Sequence, residues 1–332
     1  MPCRKIDTKL LHRSFFYRNF TILSCCDLCQ KGFFLYFRWC NFKTEKMYRL
    51  LLIIGVLCSA WIDAAALANV RFHNEATDTI RINEILIETA SKNFKEPGDR
   101  NAYIAKKFLD TPYVSGTLEG SPELVTVNLD ELDCTTLVDI VLAMSYTLGE
   151  GRTSWRDFVY NLERMRYRGG EVNGYASRLH YICDWFVDNI HRGNFEDATR
   201  LFPRPNYIVR TIDFMSSNRD KYPALADSAE FERIKNVEIG YRSHRFPYIK
   251  TTDLANKDTK AAFRDGDVVA LVSNAKNLDV THMGIIVKID GEPYLLHASS
   301  SNGKVEITQR PLADFMKRNR SLMGVRVLRL KE

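Results

Sequence analysis

From Cys134 onward, Leu137, Ile140, Val141, Met144 and Leu148 recur at three- and four-residue steps until Gly149 and Gly151. That period predicts an amphipathic helix with one buried face, and Cys134, three residues before Leu137, lies on it. Upstream, Ile80, Ile82, Ile85 and Leu86 predict a helix reaching about Lys92, and Ala102 to Leu109 a second one halted by Pro112. Between them and Cys134 the alternation over Glu123 to Leu129 predicts a short strand. The middle predicts helices over Trp155 to Tyr167, Ser177 to Ile190 and Asp227 to Val237, with an extended piece near Tyr207 to Phe214. The last third changes to strand-like runs: Asp267 to Val272, Val280 to Ile289, Pro293 to Ser299, Lys304 to Thr308 and Leu322 to Leu330. Turn signals stand at Asp290-Gly291 and Asn302-Gly303. One cysteine-bearing helix followed by an antiparallel meander is an α+β arrangement, in which residues of about 150–262 form a helical insertion between two better-defined ends.

The start of the chain follows other rules. Met47-Tyr48-Arg49 precedes an apolar run from Leu50 to Trp61, 12 residues, and then Ala64-Ala65-Ala66-Leu67-Ala68. This is the layout of a secretory signal peptide, cut before Asn69. The run falls well short of the roughly 20 apolar residues a spanning helix needs. Residues 47–68 are therefore expected to be a signal peptide, 69–332 a single exported domain, and 1–46 an upstream extension outside the fold, with Met47 the candidate initiator. Cys58 raises a lipoprotein reading, but Leu57 occupies the place where a lipid-attachment box needs a small residue. Cys26-x-x-Cys29, with Cys40 and His12 nearby, lacks the second ligand pair that closes a zinc tetrahedron.

Charge follows the same division. Of 332 residues with 47 Lys+Arg, 41 Asp+Glu and a net charge of +6, the first 68 hold ten of the bases and four of the acids. The remainder is formally neutral, so no overall basic charge suggests a nucleic-acid partner. Six of the eight cysteines also lie in the first 68 residues, leaving Cys134 and Cys183. Two cysteines build no disulfide framework, although in an exported protein they could pair with each other.

At the start of a helix a thiol faces the positive end of the macrodipole, which favours the thiolate. Asp133 can cap that helix, but its charge opposes the thiolate, so a basic partner is required. Two histidines flank Asp290-Gly291. A two-residue hairpin there sets Gly284 opposite His297 and His282 opposite Ser299, placing His282 and His297 on one face as diagonal neighbours. His282 would then take the proton of Cys134 while His297 holds its ring in the right tautomer. The bland alternative is a cysteine in a core and two structural histidines.

Asp133-Cys134-Thr135-Thr136-Leu137-Val138, His282-Met283-Gly284-Ile285 and Leu296-His297-Ala298-Ser299 resemble the three signatures of the NlpC-type papain-like cysteine hydrolases of bacterial cell walls. Pro112-Tyr113-Val114, Gly116-Thr117-Leu118-Glu119 and Ser177-Arg178-Leu179-His180-Tyr181 are similar to the N-acetylmuramoyl-L-alanine amidase-like branch, over nearly all of 75–330. The resemblance implies a papain-like core with Cys134 as nucleophile, His282 as base and His297 as third polar residue. It implies that Tyr113, Asp133, Thr135 and Arg178 contact substrate, with an ion-pair role for Arg178 as the alternative. The implied activity is an exported, periplasmic amidase acting on muropeptides without metal or cofactor and without a nucleic-acid partner. A γ-D-glutamyl–diamino acid endopeptidase and a catalytically silent wall-binding module are the alternatives.

Overall fold

The computed structural model describes residues 70–331. The segment read as a signal peptide, the Cys26–Cys29 pair and Cys58 lie outside the described residues. Strand β1 (Val70–Phe72) runs parallel to β2 (Val125–Val127), and helices α1 (Glu75–Ser91) and α2 (Pro97–Lys106) lie between them in sequence. On α1, Ile82, Ile85 and Leu86 are buried as the helical period requires, whereas Ile80 is 59% exposed. Helix α3 (Cys134–Gly149) is buried along most of its length, and α4 (Trp155–Arg166) packs beside it.

The segment read as a helical insertion is more than that. Besides α5 (Ile182–His191), the short α6 (Phe214–Ser217), α7 (Ser228–Gly240) and α8 (Lys257–Ala262), it supplies β3 (Phe195–Asp197), β4 (Asn206–Arg210) and β5 (His244–Lys250). These join β6 (Val268–Ser273), β7 (Val280–Ile289), β8 (Glu292–Ser299), β9 (Lys304–Ile307) and β10 (Leu322–Leu330) in one eight-stranded sheet. Its order is β4-β5-β10-β6-β7-β8-β9, with β3 also paired to β10, and every pairing is antiparallel. Helix α9 (Leu312–Arg318) precedes the last strand. The result is a mixed α+β fold, an antiparallel sheet flanked by helices. No helix among the described residues is long and apolar enough to cross a membrane.

The two faces of the sheet bury different cores. Met283, Ile285, Leu296 and Ala298 pack with Leu137 and Val138 of α3. Val269, Leu271, Ile286 and Leu295 pack on the opposite face with Leu312 and Met316 of α9. Alternation along β7 and β8 therefore decides which side chains meet α3 and which meet α9.

A buried ion pair ties α3 to its surroundings. Arg166 Nε donates to Asp139 Oδ2 at 2.9 Å, with the two side chains 3% and 1% exposed, and Arg166 Nη1 donates to the Thr126 carbonyl oxygen at 2.7 Å. This one guanidinium thus ties α4 to α3 and to β2.

Candidate active site

The hairpin joining β7 to β8 turns on Asp290 (φ 50°) and Gly291 (φ 81°), both left-handed, as a tight two-residue loop between twisted strands requires. Its register pairs Ile289 with Glu292 and Ile285 with Leu296, the one that places His282 and His297 on a common face. They meet: His282 Nε2 lies 2.7 Å from His297 Nδ1, with the rings edge to face. Two features of β7 permit the contact. Opposite β6, Thr281 is an extra residue between the pairs Leu271–His282 and Val272–Val280, and such a bulge turns the strand just before His282. Beside His297, Gly284 has no Cβ; one built there would sit 2.6 Å from the Leu296 oxygen and 3.0 Å from His297 Cβ.

The imidazoles occupy the α9 face, where the His297 ring contacts that of Phe315. Helix α3, which begins at Cys134, covers the other face. Pairing of β7 with β8 stops at Ile285–Leu296, and beyond that point the Met283 backbone amide favours the thiolate of Cys134. Met283 is the residue next to His282 in β7. Because His297 engages Nε2 of His282, Nδ1 is left, and Nδ1 is the ring nitrogen nearer the main chain.

Asp133 organises the start of α3. Its Oδ1 accepts from the Thr135 amide (3.0 Å), the Thr136 amide (2.8 Å) and the Thr136 hydroxyl (2.9 Å), while the Thr136 hydroxyl oxygen accepts from the Asp133 amide (2.8 Å). This capping box leaves the amide of Cys134 itself unclaimed at the end of the helix where donors point outward. The Thr135 hydroxyl lies 3.9 Å from the sulfur. Tyr113 is held by its own amide on the Gly303 oxygen and by the bridge of its strand segment to Leu132. Burial, then the nearby Cys134 and Asp133, raises its pKa, so its hydroxyl stays a donor at neutral pH.

Arg178 is placed otherwise. Its Nη2 donates to Glu119 Oε1 at 2.7 Å, its Nε lies 3.4 Å from Glu123 Oε1, and its guanidinium stacks on Tyr175. The cation is met within the protein, as the ion-pair alternative has it. Cys134 and Cys183 are both free thiols, and Cys183 belongs to a different buried cluster, so the disulfide alternative does not form.

The electrostatics of the sulfur run against the sequence expectation. The start of a helix was expected to lower the thiol pKa; instead burial, followed by the charge of Asp133, pushes it up to about 11, and the Met283 amide and Thr135 hydroxyl only partly oppose this. Burial, and then His297, lowers His282 to about 4. Burial thus disfavours the charged form of both groups.

The sequence reasoning missed the Met283 amide and Glu306. Glu306 lies across from His297 in β9, with Oε1 3.9 Å from His297 Nε2. Among the described residues no cluster of His, Cys, Asp and Glu could hold a metal ion.

Comparison with known proteins gives a consistent picture. A family model described as AmiA-like, N-acetylmuramoyl-L-alanine amidase-like, matches residues 103–325. A solved structure described as an N-acetylmuramoyl-L-alanine amidase from Bacteroides uniformis is 38% identical over 71% of this chain and 99% of its own, with a TM-score of 0.66. A structure described as a putative xylanase from Bacteroides fragilis is 37% identical over 68% of this chain and 98% of its own, with a TM-score of 0.63. A Legionella pneumophila protein shares the fold at 21% identity and a TM-score of 0.60, over 78% of this chain and 97% of its own. No curated protein matches the chain.

Proposed function

Because the chain belongs to the N-acetylmuramoyl-L-alanine amidase-like family, we propose that it is a cysteine amidase hydrolysing the amide between the lactyl group of N-acetylmuramic acid and L-alanine in peptidoglycan fragments. The observation that carries this reading is the His282–His297 contact of 2.7 Å, in the strand whose Met283 amide favours the thiolate of Cys134. In this reading the core is papain-like. His282 Nδ1 takes the proton as Cys134 Sγ attacks the lactyl carbonyl, and His297 holds the ring through Nε2. The carbonyl oxygen gains negative charge in front of the Cys134 amide and the Tyr113 hydroxyl, preformed donors in a partly dehydrated site. His282 then returns the proton to the departing alanine nitrogen, leaving a muramoyl thioester that water, deprotonated by His282, hydrolyses.

Asp133 keeps Oδ2 free of protein hydrogen bonds while Oδ1 caps the helix. We assign Oδ2 and the Thr135 hydroxyl to polar groups of the substrate. Arg178 serves by bracing the segment that runs from Tyr113 to Glu123. A glycosidase, as one relative's description would suggest, works with two opposed carboxylates; a thiol beside paired imidazoles is the chemistry of acyl transfer. The leader read in residues 47–68 makes the periplasm the proposed place of action. Incubation with a disaccharide-tetrapeptide tests the bond: release of intact tetrapeptide is expected, and release of the diamino acid-D-Ala dipeptide, with L-Ala-D-Glu left on the sugar, would contradict the assignment.

A further inference from the structure

His297 carries a buried atom that the chemistry so far leaves without a role. Its side chain is 6% exposed, and Nε2 has no hydrogen-bond partner. A buried donor without an acceptor is costly, and in a site of this kind it constrains the proton inventory. That inventory is fixed by one requirement, which rests on the amidase reading: His282 Nδ1 must be bare to receive the thiol proton. Neutral His282 then carries its hydrogen on Nε2 and donates to His297 Nδ1 at 2.7 Å. His297 Nδ1 must accept, so its own hydrogen is on Nε2, and that N–H points to the unpartnered side. The charged groups facing the pair are few. Glu306 lies opposite His297 in register, with Oε1 3.9 Å from Nε2, and the charge of Asp133 reaches His282 from the start of α3. The α9 face offers the Phe315 ring, which accepts no proton.

We propose that Glu306 is a positioning residue that sets the tautomer of His297, so that His297 accepts from His282 and leaves Nδ1 of His282 free for the sulfur. Glu306 is itself held in place: Asn302 Nδ2 donates to its Oε1 at 2.6 Å, and the β8–β9 pairing fixes its strand. A carboxylate 3.9 Å away biases the tautomer by its charge in a poorly solvated site and closes to hydrogen-bonding distance by a small side-chain movement or one bridging water. No proton passes to Glu306 in any step. Its charge also steadies the imidazolium that His282 becomes when sulfur gives up its proton, spread across the His282–His297 bond. At metal sites, orienting groups one step removed from the reacting atoms are worth about 10–100-fold in activity, and a loss of that order is expected here.

The test has two independent readouts. Nitrogen-15 spectra of histidine-labelled protein, with His297 assigned by its absence in His297→Gln, report which ring nitrogen carries the hydrogen. The wild type is expected to show His297 protonated on Nε2. Glu306→Leu is expected to shift it to a mixture and to lower kcat about tenfold or more with KM little changed, and the near-isosteric Glu306→Gln should lie between. Wild-type His297 protonated on Nδ1, or an unchanged tautomer and kcat in the leucine variant, overturns the proposal. The spectra need no turnover, so a protein that fails to hydrolyse muramoyl-L-alanine would refute the amidase reading while the tautomer assignment is still decided.

Discussion

Replacing Gly284 by alanine tests the hairpin geometry on which the site depends. The added Cβ would lie 2.6 Å from the Leu296 carbonyl oxygen, 2.9 Å from Leu295 Cδ1 and 3.0 Å from His297 Cβ, where ordinary contacts begin at 3.4 Å. Leu295 can rotate away, but the Leu296 oxygen is backbone and cannot. Relieving that contact moves β8 from β7 by about 0.8 Å, the difference between 3.4 and 2.6 Å. If His297 moves with its strand, the 2.7 Å contact with His282 opens to about 3.5 Å, beyond the hydrogen-bonding range. Overpacking of this kind costs about 1–3 kcal/mol, and a base displaced by that much loses about 10–100-fold in kcat. Urea denaturation and initial rates on N-acetylmuramyl-L-alanine measure the two effects. Gly240→Ala is the control, since nothing lies within 4 Å of its Cβ and its φ is not in the left-handed range. A Gly284→Ala enzyme with wild-type kcat would refute the claim that His297 is held by close approach of these strands.

The remaining predictions concern charge and the frame around the site. In the proposed mechanism His282 must be neutral to act, and burial lowers its pKa to about 4, so kcat/KM is expected to stay level as pH falls through the ordinary histidine range and to drop only near about pH 4. Half-maximal kcat/KM near about pH 6.5 would show an ordinary, solvated imidazole. Asp133→Asn keeps the cap but removes the second-largest contribution holding the thiol pKa up, so iodoacetamide should label Cys134 faster at pH 8 than in the wild type; an equal or slower rate contradicts the assigned cause. Arg166→Met leaves Asp139 buried without its partner, with an expected loss of about 3–5 kcal/mol in urea denaturation; a loss under about 1 kcal/mol would mean the pair is not what ties α3 to α4.

Legibility in the sequence followed how local the cause was. The α3 period and the Asp290-Gly291 turn are short-range signals, and the turn alone was enough to place His282 and His297 on one face as neighbours. Strands β3 and β5 were missed because their pattern is not self-sufficient: β3 has three residues, and β5, with Pro247 inside it, is completed only by its neighbours β4 and β10. Glu306 was hidden by a loop length. A two-residue turn on Asn302-Gly303 would set Thr308 opposite His297, but β8 pairs Ser299 with Lys304, which lengthens the loop and brings Glu306 there instead. The thiol pKa was misjudged because a helix terminus is visible in sequence and burial is not.

The central claim is that Cys134 is the atom that carries the acyl group. Rapid acid quenching of enzyme mixed with a muramoyl-L-alanine substrate, followed by peptide mapping in a mass spectrometer, tests it directly. The account predicts an N-acetylmuramoyl adduct on the peptide containing Cys134, absent in Cys134→Ala and greatly slowed in His282→Ala. An adduct on another residue, or hydrolysis undiminished in Cys134→Ala, would contradict it.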